Sequence, residues 1–127
     1  MARPRPVEVC FLIGRGGAVL WTDRSDDAHL LPDSRERWTA IWVQRDELEL
    51  IAHSHPRGPL AFSETDRSTM AALDTALGCP QHYAVVAPSG MIGWHDNEQS
   101  DFQEEPWWAD LLRAASGIPG LGEATKE

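Results

Sequence analysis

The sequence predicts an α/β fold, with a single domain built on one mixed β-sheet flanked by helices. Segments that are apolar throughout or that alternate between apolar and polar residues, as strands do, occur at residues 7–13, 18–22, 47–53, 82–87 and 91–95. Segments with apolar residues three and four positions apart, as in amphipathic helices, occur at residues 34–46, 66–77 and 104–113. A chain of 127 residues suits one domain with its own core.

The first two strands are predicted to form a β-hairpin. Residues 7–13 are apolar except for Glu8, and the glycine-rich residues 14–17 permit a tight reversal into residues 18–22. Residues 1–6 carry two prolines and are expected to be an irregular lead-in. Glu8 stands out because a carboxylate at the head of an apolar strand is costly to bury unless a nearby group uses it.

A polar loop, a helix and a strand come next. Residues 23–33 are predicted to be a loop, in which His29 is expected to be exposed, with a place on a substrate channel as the alternative. A helix is predicted from residue 34 to about residue 46, with Trp38 and Trp42 packed in the core. Residues 47–53 alternate and then turn apolar, which predicts a strand that ends at a sheet edge.

The second half of the chain repeats this alternation of helix and strand. The helix at residues 66–77 is expected to end at Gly78, with Cys79 in a structural role just beyond it. Residues 82–87 and 91–95 are predicted to be paired strands. The last helix starts with acidic residues and a proline, as helices often do, and residues 117–127 are expected to be a flexible tail. The predicted domain therefore covers residues 1–116.

Composition narrows the possible functions. Eleven basic and twenty acidic residues give a net charge of −9, which argues against a nucleic-acid partner because phosphate-binding surfaces cluster Lys and Arg. The acidic balance suits a neutral or basic protein partner, although it is also typical of a merely soluble protein. No apolar run is long enough for a membrane span or a signal peptide, and two cysteines fit a reducing compartment. We therefore predict a cytoplasmic protein without a membrane partner.

The stretch from His53 to Asp66 carries the predicted chemistry. His53 and His55 are two residues apart, so at a strand end they project from the same side and can approach one ion together. Asp66 supplies an oxygen after a short loop. Two imidazoles and one carboxylate suit zinc, and three protein ligands leave the open fourth position typical of a catalytic site.

A structural explanation of the same residues has to be weighed. Ser63-Glu64-Thr65-Asp66 is also the pattern of a capping box, in which Ser63 caps a helix and Asp66 accepts from first-turn amides. The two explanations are compatible, because a helix N-terminus can fix Asp66 while leaving its second oxygen for a metal ion.

The spacing resembles the signature of the JAMM or MPN+ metalloprotease family. That signature reads Glu, then His-Ser/Thr-His, seven residues, Ser, two residues and Asp, and it is matched by Glu8, His53, His55, Ser63 and Asp66. The resemblance covers about residues 7–95, and the chain is most similar to the compact prokaryotic members. Two residues depart from the pattern: Phe62 stands where bacterial members often have proline, and Phe11 replaces a small residue.

The resemblance implies a role for each matched residue. One zinc ion per chain would be held by His53, His55 and Asp66, with Glu8 as general base and Ser63 as a hydrogen-bond donor to the oxyanion. Glu47 and Glu49 are rivals for the base, but Glu49 is over 10 Å from His53 by the rise of about 3.3 Å per strand residue. A solvent-facing carboxylate at a strand start is the structural alternative for Glu8.

The resemblance also implies a fold and a substrate class. The fold is MPN/JAB-like, with cytidine-deaminase-like layering, and the helix at residues 104–114 is expected to cover the sheet face that a helix before the glutamate covers in the family. The expected substrate is a ubiquitin-like or sulfur-carrier protein with a glycine-ended tail. A non-catalytic MPN-type scaffold is the alternative, whereas a zinc deaminase would need a Pro-Cys-x-x-Cys segment that this sequence lacks.

Overall fold

A computed structural model describes residues 6–24 and 35–118. The strands within these ranges are β1 (Val9–Gly14), β2 (Val19–Arg24), β3 (Leu48–Ser54), β4 (His82–Ala87), β5 (Gly90–His95) and β6 (Glu98–Asp101). The α-helices are α1 (Arg35–Gln44), α2 (Glu64–Leu77) and α3 (Trp108–Ser116). All six strands form one sheet in the order β2-β1-β3-β4-β5-β6, in which β3 and β4 are parallel and the other neighbours antiparallel. The predicted mixed α/β fold is confirmed.

The sheet buries a different core on each face. Along β1, Val9, Phe11 and Ile13 join a cluster with Trp108 and Leu112 of α3, so that helix covers the first face, as predicted for the last helix. Alternate residues along the same strand, beginning with Cys10 and Leu12, face the other way and join a second cluster that includes Ile41 of α1 and Met70 and Leu73 of α2. A period of two along β1 thus places the two cores on opposite faces.

The α1 prediction is correct for the helix and wrong for one side chain. Trp38 is partly buried against the second core, but Trp42 is 53% exposed and lies under the guanidinium of Arg45, 3.9 Å from the ring centroid. The helix packs mainly through Ile41, which leaves Trp42 beyond the edge of the buried stripe.

Two further differences concern the polar segment before the last helix. Sequence patterning missed β6, whose four residues are all exposed and which joins β5 through Asp96 and Asn97, both with positive φ. The last helix begins at Trp108 rather than at residue 104. The acidic residue Glu105 lies before the helix and pairs with Arg113.

Some predictions fall outside the described residues. His29, most of the lead-in and residues 119–127 of the predicted tail are among them. The first two tail residues close α3: Gly117 takes a left-handed conformation, and the buried Ile118 donates its N–H to the carbonyl of Arg113. Within the described ranges, no helix has the length and apolar character needed to cross a membrane.

Candidate metal centre

Two adjacent strands bring the two histidines and the predicted base to one end of the sheet, and Asp66 comes from the first turn of α2. His53 lies near the end of β3 and is the register partner of Cys10 on β1, while Glu8 immediately precedes β1. Because side chains two apart on a strand share a face, Glu8 lies on the same side as Cys10. His55 follows β3 directly, and its N–H donates to the carbonyl of Val86 on β4.

The three predicted ligands converge on one point. The Nε2 atoms of His53 and His55 are 3.2 Å apart, the Nε2 of His53 is 3.2 Å from Asp66 Oδ1, and the Nε2 of His55 is 3.2 Å from Asp66 Oδ2. Ligand atoms about 2.0–2.1 Å from a tetrahedral zinc ion would be about 3.3–3.4 Å from one another. The donor set and its spacing therefore fit a metal ion of this kind.

A turn after His55 fixes the tautomer of that residue. His55 Nδ1 is 3.0 Å from the carbonyl oxygen of Pro59, which can only accept, so Nδ1 carries a hydrogen and Nε2 is the ring nitrogen left to bind an ion. Gly58, at φ 71°, allows the chain to return to His55, whose carbonyl accepts from the Gly58 N–H. The residues between the histidines and α2 thus orient a ligand.

Asp66 serves the helix and the cluster at once. Its Oδ2 accepts from the Ser63 N–H at 2.8 Å, and its own N–H donates to Ser63 Oγ at 3.0 Å, which completes the predicted capping box. Burial favours a higher pKa for Asp66, but hydrogen bonds from His53 and His55 hold its pKa well below the usual range. The carboxylate is therefore ionised at neutral pH.

The pKa of His55 is shifted in the opposite direction. Burial favours a lower pKa, yet hydrogen bonds to Asp66 and to the Pro59 carbonyl, together with the charges of Asp66 and Glu8, raise the pKa of His55 above its ordinary value. In the absence of an ion, these neighbours therefore favour the protonated form of His55.

Glu8 lies beside the cluster, and its rivals do not. Glu8 Oε1 is 4.0 Å from His55 Nε2, and the residue is 9% exposed. It lines the same cavity as the three ligands and Ser63. Glu47 and Glu49 are exposed to solvent and do not line this cavity.

Ser63 reaches the cavity from the start of α2. Its Oγ accepts the Asp66 N–H, which occupies a lone pair and leaves the hydroxyl hydrogen able to donate. The arrangement can therefore supply both a helix cap and a donor at the cavity wall.

Sequence reasoning missed a chain of buried hydroxyls behind the site. The Val9 N–H donates to Ser54 Oγ at 2.9 Å, Ser54 and Ser116 hydroxyls are 2.8 Å apart, and the Ser116 hydroxyl donates to the Val7 carbonyl. Because a carbonyl only accepts, the direction of every hydrogen in this chain is fixed. Ser54 lies between the two histidines, so the motif gave a hint of its importance, but nothing in the sequence pointed to Ser116.

A comparison with known families adds to this geometry. The model of a family described as prokaryotic homologues of the JAB domain matches residues 5–109, a range that includes all six strands, α1, α2 and the whole cluster. No curated protein gives a significant match.

Proposed function

This chain belongs to the prokaryotic JAB-domain family, and we propose that it is a zinc-dependent hydrolase of a peptide or isopeptide bond. The bond would lie next to the C-terminal tail of a ubiquitin-like or sulfur-carrier protein. One observation carries the proposal: one ligand atom each from His53, His55 and Asp66 lie within 4.8 Å of one another, and Glu8 Oε1 is 4.0 Å from His55 Nε2.

The ligand assignment follows from the chemistry of the converging atoms. His53 Nε2, His55 Nε2 and one oxygen of Asp66 would hold the ion, and the Pro59 carbonyl keeps His55 in the tautomer that a metal needs. A zinc ion bound there would supply a water with a pKa near 7 and polarise the substrate carbonyl.

Glu8 is the proposed proton carrier. Its carboxylate would take a proton from the attacking water as the water oxygen bonds to the carbonyl carbon. It would then pass that proton to the nitrogen as the C–N bond breaks, giving a free carboxylate and a free amine. Positioned proton transfer of this kind contributes about a hundred- to ten-thousandfold in rate.

Ser63 is the proposed oxyanion donor. Its hydroxyl lies on the cavity wall, and the hydrogen bond from Asp66 N–H orients its oxygen. A donor aimed at the developing negative charge is worth about 3 kcal/mol in comparable sites.

A non-catalytic scaffold is the second candidate, favoured by apolar side chains on the outer surface of α3. Trp107, just before that helix, is 63% exposed and Leu111 is 45% exposed, as expected of a partner surface. A scaffold has no use for a converged ligand set, however. Metal content after native purification separates the two candidates: about one zinc per chain supports the hydrolase, and none supports the scaffold.

The direct test is cleavage of ubiquitin-like proteins that carry short extensions after a glycine-ended tail. We expect mass spectrometry to detect release of the extension by the zinc-loaded protein, loss of cleavage with a chelator, and recovery after zinc is added back. Glu8→Gln is the matched control, because it should keep the metal and lose at least about a hundredfold in rate. Cleavage that survives the chelator, or full activity of Glu8→Gln, would overturn the proposal.

A further inference from the structure

The candidate metal centre opens into a cavity of about 310 Å³ between the second sheet face and the helices α1 and α2. Glu8 and the three ligands line one side. The inner wall is formed by six side chains that are each at most 7% exposed: Cys10, Ile41, Ile51, Met70, Leu73 and Tyr83. A group that enters this cavity therefore lies beside the candidate metal centre on one side and contacts apolar side chains on the other.

The two polar atoms of the inner wall offer nothing to a charged guest. The Tyr83 hydroxyl is directed at α2, where it lies 2.7 Å from Asp74 Oδ1 and 3.1 Å from the Met70 carbonyl. Burial raises the pKa of the Cys10 thiol to about 12, so it stays neutral. Both residues thus present the cavity with an apolar surface.

Two arginines also line the cavity: Arg57 is exposed to solvent, and Arg37 is held in an ion pair. Arg37 donates from Nε and Nη2 to Asp23 Oδ2, at 2.9 and 2.6 Å. This ion pair holds the guanidinium towards β2, so Arg37 serves to position α1 against the sheet.

We propose that this cavity is the subsite for a large apolar side chain, carried by the residue on the amine side of the bond that is hydrolysed. The inference rests on the proposed function, because a glycine-ended tail contributes no side chain on the acyl side. The amine side then has to supply the group that fills the cavity. The preferred bond is accordingly a linear peptide bond to a residue such as Leu, Met or Phe.

The cavity discriminates in two ways. A large apolar side chain exchanges water for contact with the inner wall, whereas glycine leaves that wall unfilled. A carboxylate or ammonium placed against the inner wall would lose its hydration, and the six side chains of that wall carry no charge to replace it. Differences of single apolar groups in such pockets change kcat/KM by about 10- to 200-fold, so Leu should exceed both Gly and Asp by at least about tenfold.

The test compares one ubiquitin-like protein carrying a Gly-Gly tail followed by Gly, Leu, Phe, Asp or Lys, and a sixth substrate joined through the side-chain amine of a lysine. Values of kcat/KM are measured by mass spectrometry with the zinc-loaded full chain. We expect Leu and Phe to be cleaved fastest, and Gly, Asp and the lysine-linked substrate at least about tenfold more slowly. Equal rates for Leu, Gly and Asp would overturn the proposal.

A variant of the wall sharpens the test. Ile41→Ala enlarges the cavity and should raise the Phe-to-Leu ratio of kcat/KM by several fold, with Ile41→Val as a milder change if the first does not fold. Leu112→Ala is the matched control, since it removes a similar buried side chain from the core on the other sheet face. An unchanged ratio in folded Ile41 variants, or the same change in Leu112→Ala, would overturn the assignment.

A binding measurement separates this inference from the proposed function. In metal-free protein, peptides ending in Gly-Gly-Leu should shift the methyl NMR signals of Ile41, Met70 and Leu73, and peptides ending in Gly-Gly-Asp should not. Shifts without any cleavage would refute the hydrolase and support the pocket. Chelator-sensitive cleavage of every tail at one rate would refute the pocket alone.

Discussion

Two polar clusters, one on each side of the sheet, use charged side chains in different ways. Arg113 on α3 is fully buried, and its five N–H groups meet five acceptors: the carbonyls of Ala87 and Gly90, both oxygens of Glu105, and Asp110. At the candidate metal centre, by contrast, His53 Nε2 and His55 Nε2 lie 3.2 Å apart, and each lies 3.2 Å from one oxygen of Asp66. A network whose donors and acceptors match stabilises the fold, whereas a group of atoms that can each bind a cation suits a metal ion.

The largest effect that we expect comes from disrupting the candidate metal centre. His53→Ala should lose its metal and all measurable hydrolysis, because one of three ligands is gone. The loss of metal affinity should exceed the roughly 100-fold that a missing outer hydrogen-bond partner costs. Metal analysis and the tail-cleavage assay measure both effects, while urea unfolding of the metal-free protein should change little. A variant that retains stoichiometric zinc would contradict the ligand assignment.

Disrupting the Arg113 network should instead lower the stability of the fold and leave metal binding unchanged. Arg113→Met leaves the Glu105 carboxylate and two backbone carbonyls without their donor, which costs about 3–5 kcal/mol of unfolding free energy for a buried pair. Urea unfolding measures this cost. Metal binding per folded molecule should be unchanged, and its loss in folded protein would show that the two clusters are not independent.

The Ser116 hydroxyl links α3 to the segment that carries Glu8, so its removal should affect both stability and activity. Ser116→Ala leaves the Ser54 hydroxyl without an acceptor and the Val7 carbonyl without a donor, at a cost of about 1–3 kcal/mol. Because Val7 and Val9 flank Glu8, we also expect a several-fold fall in kcat with metal content unchanged. The exposed Ser68→Ala on α2 is the control and should alter neither quantity. A stability loss without any change in kcat would confine Ser116 to a structural role.

The smallest effect is on pH dependence. Since the pKa of metal-free His55 is raised, protons compete more strongly with zinc for this residue, and the apparent zinc affinity should fall by up to about tenfold per pH unit per proton as the pH decreases. Competition with a coloured chelator between pH 6 and 8 measures this. Arg113, whose pKa is raised chiefly by its hydrogen bond to Glu105, stays charged over this pH range, so we expect no pH dependence from it. An affinity independent of pH would contradict the proton displacement.

The raised pKa of His55 also affects the stability of the metal-free protein. Its contribution to stability should fall as the pH rises, whereas the zinc affinity should rise. A raised pKa means that His55 stabilises the fold fully below its unfolded pKa of about 6.5 and loses this contribution as the pH rises through its folded pKa. Asp66, with a lowered pKa, contributes above about pH 3.9 and loses its contribution as the pH falls through its folded pKa. Thermal melts of the metal-free protein should therefore show the His55 contribution fading on the alkaline side.

The contrast also explains what the sequence could predict. Periodicity predicted the strands that carry apolar residues and all three helices, because burial of one face leaves a repeat in the sequence. It missed β6, whose exposed residues pair through the backbone alone, although two positive-φ residues at Asp96 and Asn97 are typical of a hairpin turn. It also placed Trp42 inside, because helical spacing shows which residues share a stripe but not how wide the buried stripe is.

The two polar clusters differ in the same way. The fixed spacing from His53 to Asp66 made the convergence of three ligand atoms predictable, since a strand end and a capped helix set their positions. Nothing marked Arg113 as buried, because its acceptors include carbonyls of β4 and β5 that any residue could offer. Backbone acceptors leave no trace in a sequence.

The hydrogen bonds between Val7 and Ser116 affect the order in which parts of the protein fold. The Val7 N–H donates to the Ser116 carbonyl at 2.9 Å, across 109 positions of the chain. Contacts so distant in sequence form only after the intervening loop is closed, at an entropic cost that is met late in folding. A nascent chain that ends before α3 would lack both hydrogen bonds, so the segment that carries Glu8 would be held by its neighbouring strands and not yet by that helix.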